Sequence, residues 1–323
     1  MKLKERGKVM DKIYDVAIVG GGPAGYSAGL YASRGKLDTV IIEKGKWGGQ
    51  AATTEELENY PGSVEDPTGP KVMDRMKEQA KSFGTEFLSD EVVGFELGDD
   101  VKILKLKEGE LKAKAIIIAT GAEHVSLGVP GEEELRGKGV SYCATCDADF
   151  FTELEVVVIG GGNTAVEEAI YLTKFADKVT IIHRRDEFRA AKSIAEKALA
   201  NEKIEVIWDT VVEEIYGDGI VEGVKLKNVK TEEVKEYSTD GVFVFVGTKP
   251  ISEFAQGVVE MTDSGYIITD ENMKTSVEGI FAAGDVRDKL LRQVITAAAD
   301  GAIAAISAEK YIEETLYNRK YYI

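Results

Sequence analysis

Tyr14-Asp15-Val16-Ala17-Ile18-Val19-Gly20-Gly21-Gly22-Pro23-Ala24-Gly25 is the stretch on which the fold turns. A buried-strand sequence runs straight into a glycine cluster, and a helix of small residues, Ala24 to Arg34, follows. A lone glycine fingerprint is weak, because glycines also make plain turns; the strand before it and the helix after it give this one its meaning. Gly20 permits a tight turn, Gly22 lets a pyrophosphate approach the backbone, and Gly25 lets helix and strand pack closely. Phosphates are drawn to the positive N-terminus of the helix. The next strand, Thr39-Val40-Ile41-Ile42, ends at Glu43. A carboxylate there can accept hydrogen bonds from both hydroxyls of an adenosine ribose, and it repels a 2′-phosphate.

The same plan returns later in the chain. A strand from Glu155 to Ile159 enters Gly160-Gly161-Gly162-Asn163-Thr164-Ala165, a helix runs through Ala169 and Leu172, and the strand Val179-Thr180-Ile181-Ile182 ends at His183. Glu43 and His183 each fall 23 positions after the first glycine of their fingerprint, Gly20 and Gly160. Each copy continues through short alternating strands with charged turns. These are Val101-Lys102-Ile103-Leu104-Lys105-Leu106 in the first, and Ile204 to Trp208 with Val224-Lys225-Leu226 in the second. Each copy then closes on a buried strand and a glycine, Ile116-Ile117-Ile118-Ala119-Thr120-Gly121 and Val242-Phe243-Val244-Phe245-Val246-Gly247. The pattern predicts an α/β chain of two Rossmann-like, three-layer ββα domains, each a parallel sheet with an inserted β-meander. Glycine- and proline-rich stretches around Gly121 to Gly131 and Gly247 to Pro250 mark two crossings. The expected division is 1–121 with 250–323 as one discontinuous domain, and 122–249 inserted into it as the other.

The copies differ where specificity is decided. Opposite Glu43 the second has His183-Arg184-Arg185, with Arg189 one turn further on. Guanidinium groups bind a 2′-phosphate in fork geometry. The first site is therefore read as FAD or NAD(H), and the second as NADPH, held by Gly160, Gly162, Asn163, Thr164, His183, Arg184, Arg185, Arg189 and Gly247. A third signal makes the first site a flavin site. Thr275-Ser276-Val277-Glu278-Gly279-Ile280-Phe281-Ala282-Ala283-Gly284-Asp285 reads as a strand ending in Gly-Asp, 259 positions after Gly25. Asp285 there can bind the ribityl chain of a long cofactor. Arg292-Gln293-Val294 and a small-residue helix from Ala297 to Ala305 follow, placed to stabilise charge on a reduced isoalloxazine. The loop Trp47-Gly48-Gly49-Gln50 offers backbone approach to the ring.

The chain's only two cysteines stand together as Cys143-Ala144-Thr145-Cys146, followed by Asp147. In a reducing compartment such a unit is catalytic or metal-binding rather than structural. A zinc site would need two more soft or imidazole ligands, and the sequence offers only His124 and His183, so no metal is expected. A redox dithiol bracketed by two dinucleotide sites suggests an electron path from nicotinamide through flavin to disulfide. The 323 residues are 44% hydrophobic and 30% charged, as in a soluble globular enzyme of two domains. A formal net charge of −17 disfavours nucleic acid and anionic membrane as partners. No apolar run is long enough to span a bilayer, and the basic start, Met1 to Arg6, lacks the apolar segment of a secretory signal; a cytoplasmic location is expected. Abundant Lys and Glu with few Asn and Gln lean towards a heat-adapted source.

Taken together, Gly-Gly-Gly-Pro-Ala-Gly at 20–25, Gly-Gly-Gln at 48–50, Cys-Ala-Thr-Cys-Asp at 143–147, Gly-Gly-Gly-Asn-Thr-Ala at 160–165, His-Arg-Arg at 183–185 and Ala-Gly-Asp at 283–285 resemble the low-molecular-weight thioredoxin reductases. The likeness runs from Tyr14 to about Tyr311. It implies a homodimeric flavoenzyme that passes electrons from NADPH through FAD to the disulfide of a thioredoxin, a glutaredoxin-like or another thioredoxin-like protein. It adds Asn59, Gly48, Gly49, Gln50, Ala119, Thr120 and Gly121 to the FAD contacts. It makes Cys146 the flavin-facing sulfur, Cys143 the nucleophile towards the partner, and Asp147 the general acid–base, with a helix N-cap as the alternative reading of Asp147. Ala51, Lys249 and a longer N-terminus depart from the family pattern without removing a catalytic group. A non-enzymatic NADPH sensor would need no dithiol, and a thioredoxin-reductase-like ferredoxin–NADP reductase would lack it. Since dithiol and nicotinamide share one inserted domain and one flavin, that domain is expected to swing about the crossings near Gly121 and Gly247. Tyr317, Tyr321 and Tyr322 are read as either a dimer cover or a loose tail.

Overall fold

The computed structural model describes residues 12–53, 57, 59–98 and 100–317. The readings made at Met1 to Arg6 and at Tyr321 and Tyr322 lie outside the described residues. The chain begins with β1 (Ile13–Val19), α1 (Pro23–Arg34), β2 (Thr39–Glu43), α2 (Gly69–Ser82), β3 (Glu86–Ser89), β4 (Val92–Glu96), β5 (Lys102–Leu106) and β6 (Gly109–Ile118). After β7 (Ala122–His124) come β8 (Val140–Ser141), α3 (Ala144–Asp147), β9 (Glu155–Ile159), α4 (Asn163–Leu172), β10 (Lys178–Ile182), α5 (Lys192–Leu199) and β11 (Ile204–Ile207). Then follow β12 (Thr210–Tyr216), β13 (Gly223–Asn228), β14 (Val234–Ser238), β15 (Gly241–Val244), β16 (Thr248–Pro250), β17 (Ile280–Ala282) and α6 (Val294–Tyr311). Two compact units result: His124–Thr248, and the flanking chain up to Glu123 and from Lys249 onward. β7 and β16, the two crossings, pair with each other.

Unit one, the flanking chain, is built on a sheet in the order β3-β2-β1-β6-β5-β4, with β17 also paired to β6. β1, β2, β3 and β17 run parallel to their neighbours, while β4, β5 and the first half of β6 form an antiparallel meander. Strand residues alternate between two cores. Val16, Ile18, Ile41 and Ile117 pack under α1 and α6 with Ala28, Ala304 and Ala305, whereas Ala17, Val19, Ile42, Ile116 and Ile118 face Leu104, Leu111 and Ile267. Apolar runs without polar alternation are what a parallel strand covered on both faces requires. Small residues on α1 and α6 let the two helices lie close: a Cβ at Gly301 would fall 2.1 Å from the Ala24 carbonyl oxygen.

Unit two repeats the layers. Its sheet has the order β11-β10-β9-β15-β8, all parallel, and the meander β12-β13-β14 is a separate sheet. Val156, Val158, Ile181 and Phe243 pack under α3 and α4 with Ala144 and Ala169; Val157, Ile159, Ile182 and Val242 pack against Val212, Ile215, Val224 and Leu226 of the meander. Both units are thus the three-layer ββα, Rossmann-like arrangement expected from the sequence.

Two local readings are corrected. Ile204–Ile207 is a parallel edge strand paired with β10 rather than part of the meander, its Glu205 exposed as edge position allows. In the segment from Thr275 to Asp285 only Ile280–Ala282 is strand. Thr275 instead folds back on itself, its hydroxyl donating to the Ile280 carbonyl at 2.8 Å.

Candidate active site

The first fingerprint turns β1 into α1. Gly20 has φ +114°, and a Cβ there would lie 2.3 Å from the Ala119 carbonyl oxygen, so the strand end at Ala119-Thr120-Gly121 presses directly on it. A Cβ at Gly25 would meet the Gly20 oxygen at 1.9 Å, which only glycine tolerates, while Gly22 has nothing within 4 Å and presents an open face. Gly22 is the N-cap of α1 and supplies no side-chain cap, which leaves the amides of the first turn to an anion. Glu43 is oriented by backbone: Gly21 N–H donates to its Oε2 and Gly45 N–H to its Oε1, both at 2.7 Å. Trp47 lies against Gly21, its ring 2.6 Å from where a Cβ would stand, and Lys77 sits 4.3 Å from the centre of that ring. Gly48 and Gly49 both take left-handed φ before the short helix Gly49–Thr53 that holds Gln50.

The end of β17 reaches the same place. Gly284, at φ +78°, has its absent Cβ 3.0 Å from the Ala24 methyl. Asp285 follows with one carboxylate oxygen, Oδ1, buried and without a hydrogen-bond partner. Burial is the main cause that pushes this carboxyl up to about 6, opposed by Lys289 and Arg292 and assisted by Asp300. Gln293 is the N-cap of α6 in a capping box with Thr296, and Asn59 Nδ2 donates to its Oε1 at 3.1 Å. Val294 opens the helix. Arg292 is engaged by the protein itself: it stacks 4.1 Å from the Tyr266 ring centre and donates to the Asp285 and Arg287 carbonyls at 3.4 and 3.3 Å. Thr120 donates to the Ile251 carbonyl at 2.5 Å. An open Gly22 face, an oriented Glu43 and an orphaned Asp285 oxygen match the pyrophosphate, ribose and ribityl groups of FAD. The residues fit the cofactor.

The second fingerprint turns β9 into α4 with the same device and different side chains. Gly160 has φ +150° and would clash with the Phe245 carbonyl; Gly162, again an N-cap without a side-chain cap, has only Arg189 Nη2 at 3.9 Å near its missing Cβ. Arg189 N–H donates to the Gly161 carbonyl at 2.7 Å and Ala191 N–H to Asn163 Oδ1 at 2.7 Å, folding the arginine segment back onto the fingerprint beside Thr164. Arg184, Arg185 and Arg189 are exposed. His183 is not: it is 4% exposed, its imidazole lies on Gly161, and its Nε2 is buried without a partner. Burial, with Arg189, Arg185 and Arg184 adding to it, lowers its pKa, so the ring is neutral near pH 7. Phe188 and Trp208, with ring centres 4.6 Å apart, complete an aromatic cluster around it. The cationic face of this site is therefore made by arginines, with the histidine behind them. Gly247 closes the unit at φ +141°.

Cys143 and Cys146 form a disulfide across the one-turn helix α3, with Cα atoms 5.3 Å apart. The Cys146 and Asp147 amides both donate to the Cys143 carbonyl. Asp147 makes no side-chain cap, so the N-cap alternative is not how its carboxylate is used. Instead Ser141 Oγ donates to Asp147 Oδ2 at 2.6 Å and accepts from the Cys143 amide at 3.1 Å. Ser141, 5% exposed at the end of β8, carries no sequence motif of its own; its place two residues before the first cysteine is the one signal for it. Tyr142, likewise without a motif, donates to the buried Glu132 at 2.7 Å and stacks on His124 at 5.2 Å. Disulfide, carboxylate and hydroxyl form one assembly able to exchange electrons and hold a proton.

A family profile described as pyridine nucleotide-disulphide oxidoreductase matches residues 14–301. The chain belongs to that family. Among its relatives in this family is a thioredoxin reductase of Peptoclostridium litorale, 58% identical over 311 residues that cover 94% of this chain and 99% of that one. A thioredoxin reductase of Bacillus subtilis is 50% identical over 305 residues, covering 94% and 96%. The crystal structure of thioredoxin reductase from Streptococcus pyogenes superposes with a TM-score of 0.90 at 47% identity, covering 94% and 99% of the two chains. The chain has a disulfide of its own in unit two and a glycine fingerprint between strand and helix in each unit. Among the described residues no helix is long and apolar enough to cross a membrane.

Proposed function

We propose that the protein is an NADPH-dependent thioredoxin-disulfide reductase, which moves electrons from NADPH through FAD and the Cys143–Cys146 dithiol to the disulfide of a thioredoxin or thioredoxin-like protein. The observation that carries the reading is the disulfide itself, held beside Asp147 and Ser141 in a chain with two dinucleotide cradles. Gly20, Gly22, Glu43, Gly284 and Asp285 would hold FAD, and Gly160, Gly162 and the three arginines would hold NADPH. FAD, when bound, supplies a two-electron carrier between the nicotinamide and the disulfide. The domain division follows the sequence reading, as does a cytoplasmic location, and the motif resemblance described above implies a homodimer.

The chemistry of the chain's own residues is thiol–disulfide exchange. In the reduced dithiol, the Cys143 thiolate attacks one sulfur of the partner's disulfide, which breaks the partner's bond and forms a mixed disulfide. The other partner sulfur leaves as a thiolate and takes a proton. The Cys146 thiolate then attacks Cys143, releasing the partner as a dithiol and restoring the Cys143–Cys146 bond. Asp147 holds the proton that these steps give and take, and the Ser141 hydroxyl ties its carboxylate to the backbone of Cys143. NADPH and NADH oxidation assayed against a panel of thioredoxin-fold proteins tests the proposal. Rapid NADPH-dependent reduction of at least one is expected; NADPH oxidation that reduces none of them, with the disulfide still intact, contradicts it.

A further inference from the structure

We propose that Asp300 is a positioning residue for FAD: its carboxylate fixes the Gly284–Asp285 turn that presents the orphaned Asp285 oxygen to the cofactor. The inference rests on reading that turn as part of the FAD site. Asp300 stands in the middle of α6 among alanines, 8% exposed, where helix packing alone needs no charge. Burying a carboxylate is costly unless it is paired and hydrogen-bonded. Here a single oxygen, Oδ2, is met three times: by the Gly284 amide at 3.0 Å, by Arg287 Nη1 at 3.0 Å and by Lys289 Nζ at 2.7 Å. Arg287 is itself 9% exposed and donates through Nε to Thr269 Oγ1 at 2.7 Å.

These contacts grip the turn from both ends. The Gly284 amide opens the segment and Lys289 closes it, so one carboxylate staples six residues to the helix, with Asp285 inside the loop so formed. On its other side Gly284 rests on Ala24 of the fingerprint helix α1. Without Asp300 the buried Gly284 amide would lose this acceptor, and Arg287 and Lys289 would lose the carboxylate they share. Asp300 makes no use of Asp285 Oδ1, which stays available for a cofactor hydroxyl.

The test uses the full chain stripped of flavin and titrated with FAD, with the urea midpoint of the cofactor-free samples as the fold control for unit one and NADPH affinity as the control for unit two. Asp300→Ala should bind FAD roughly tenfold or more weakly, the loss expected for a charged acceptor removed from a buried donor, with NADPH affinity unchanged. Asp300→Asn keeps an acceptor for the Gly284 amide and should recover part of the loss. If Asp300→Ala does not fold, Lys289→Met at the edge of the cluster should still lower FAD affinity several-fold. Parent-like FAD affinity in Asp300→Ala, or in Lys289→Met where that variant decides, overturns the inference, as does Asp300→Asn binding no better than Asp300→Ala. Parent protein that binds no FAD refutes the FAD reading itself, a separate outcome.

Discussion

The two fingerprints share a backbone turn and present different side chains beyond it. In the first, β2 ends in a carboxylate that two backbone amides hold in place, and the loop behind it is covered by Trp47. In the second, a buried neutral imidazole follows β10, and three exposed guanidinium groups stand on the segment beyond. The first site is preorganised around an acceptor that two amides hold; the second offers exposed, long-range charge. That difference suits a cofactor kept through many turnovers against a substrate that must come and go. The third glycine differs as well. Gly25 cannot bear a methyl because its Cβ would stand 1.9 Å from the Gly20 carbonyl oxygen, while Ala165 carries one at the matching position, with Gly160 at φ +150° where Gly20 is at +114°.

The largest effect should fall on what unit two has and unit one lacks. Either Cys143→Ser or Cys146→Ser should abolish turnover of a thioredoxin-like disulfide, as each removes the bond that relays two electrons. Cys146→Ser, keeping Cys143, should trap a mixed disulfide with the partner that denaturing, non-reducing electrophoresis detects. Substantial reductase activity in Cys146→Ser would make the dithiol a bystander.

Next comes the charge difference between the cradles. Replacing Arg184 and Arg185 together with alanine should weaken NADPH several-fold to about a hundredfold, on the order of 1–3 kcal/mol, because charge-assisted contacts to the 2′-phosphate are lost. NADH, lacking that phosphate, should change little. Equal losses for both nucleotides, measured by titration, would remove these arginines from specificity.

The third comparison is steric. Gly25→Ala should destabilise the cofactor-free protein by about 2–3 kcal/mol, through overpacking against the Gly20 carbonyl. Ala165→Gly in the other copy should cost only about 1 kcal/mol, the usual helix penalty. Urea midpoints of the two variants check the ordering.

The smallest effect is a pH slope specific to unit one. The Asp285 carboxyl titrates near 6 when folded, against an ordinary value near 3.8, so the folded state binds more protons over that window. Its contribution to stability is fully present below about 4 and lost as pH rises to about 6, on the order of 1–2 kcal/mol for a partly exposed group. Relative to parent, cofactor-free Asp285→Asn should therefore gain stability between pH 4 and pH 6 and stay level above it. A flat difference across that range would show that the carboxyl is not perturbed.

Much of this was legible in sequence because it is local. Glycines at fixed offsets between strand and helix, and two cysteines three residues apart, need no tertiary context. What escaped depends on packing. Ile204–Ile207 alternates with exposed Glu205, the pattern of a meander, yet it is an edge strand of the parallel sheet, where one face is also open. Thr275 to Gly279 has β-branched residues but closes a turn. His183 matches Glu43 in register while its ring turns inward among Phe188 and Trp208. Ser141, Arg287, Lys289 and Asp300 acquire meaning only through partners that folding brings to them. An aspartate inside an alanine-rich helix was the one visible sign.

Electrons from NADPH should end on Cys143 and Cys146. Thiol titration of FAD-loaded protein under anaerobic conditions, before and after NADPH and with excess nucleotide removed, tests it directly, since the chain has no other cysteine. No reactive thiol is expected before reduction and two per chain after it, as the Cys143–Cys146 disulfide opens. A flavin bleached by NADPH with no thiol appearing would contradict it.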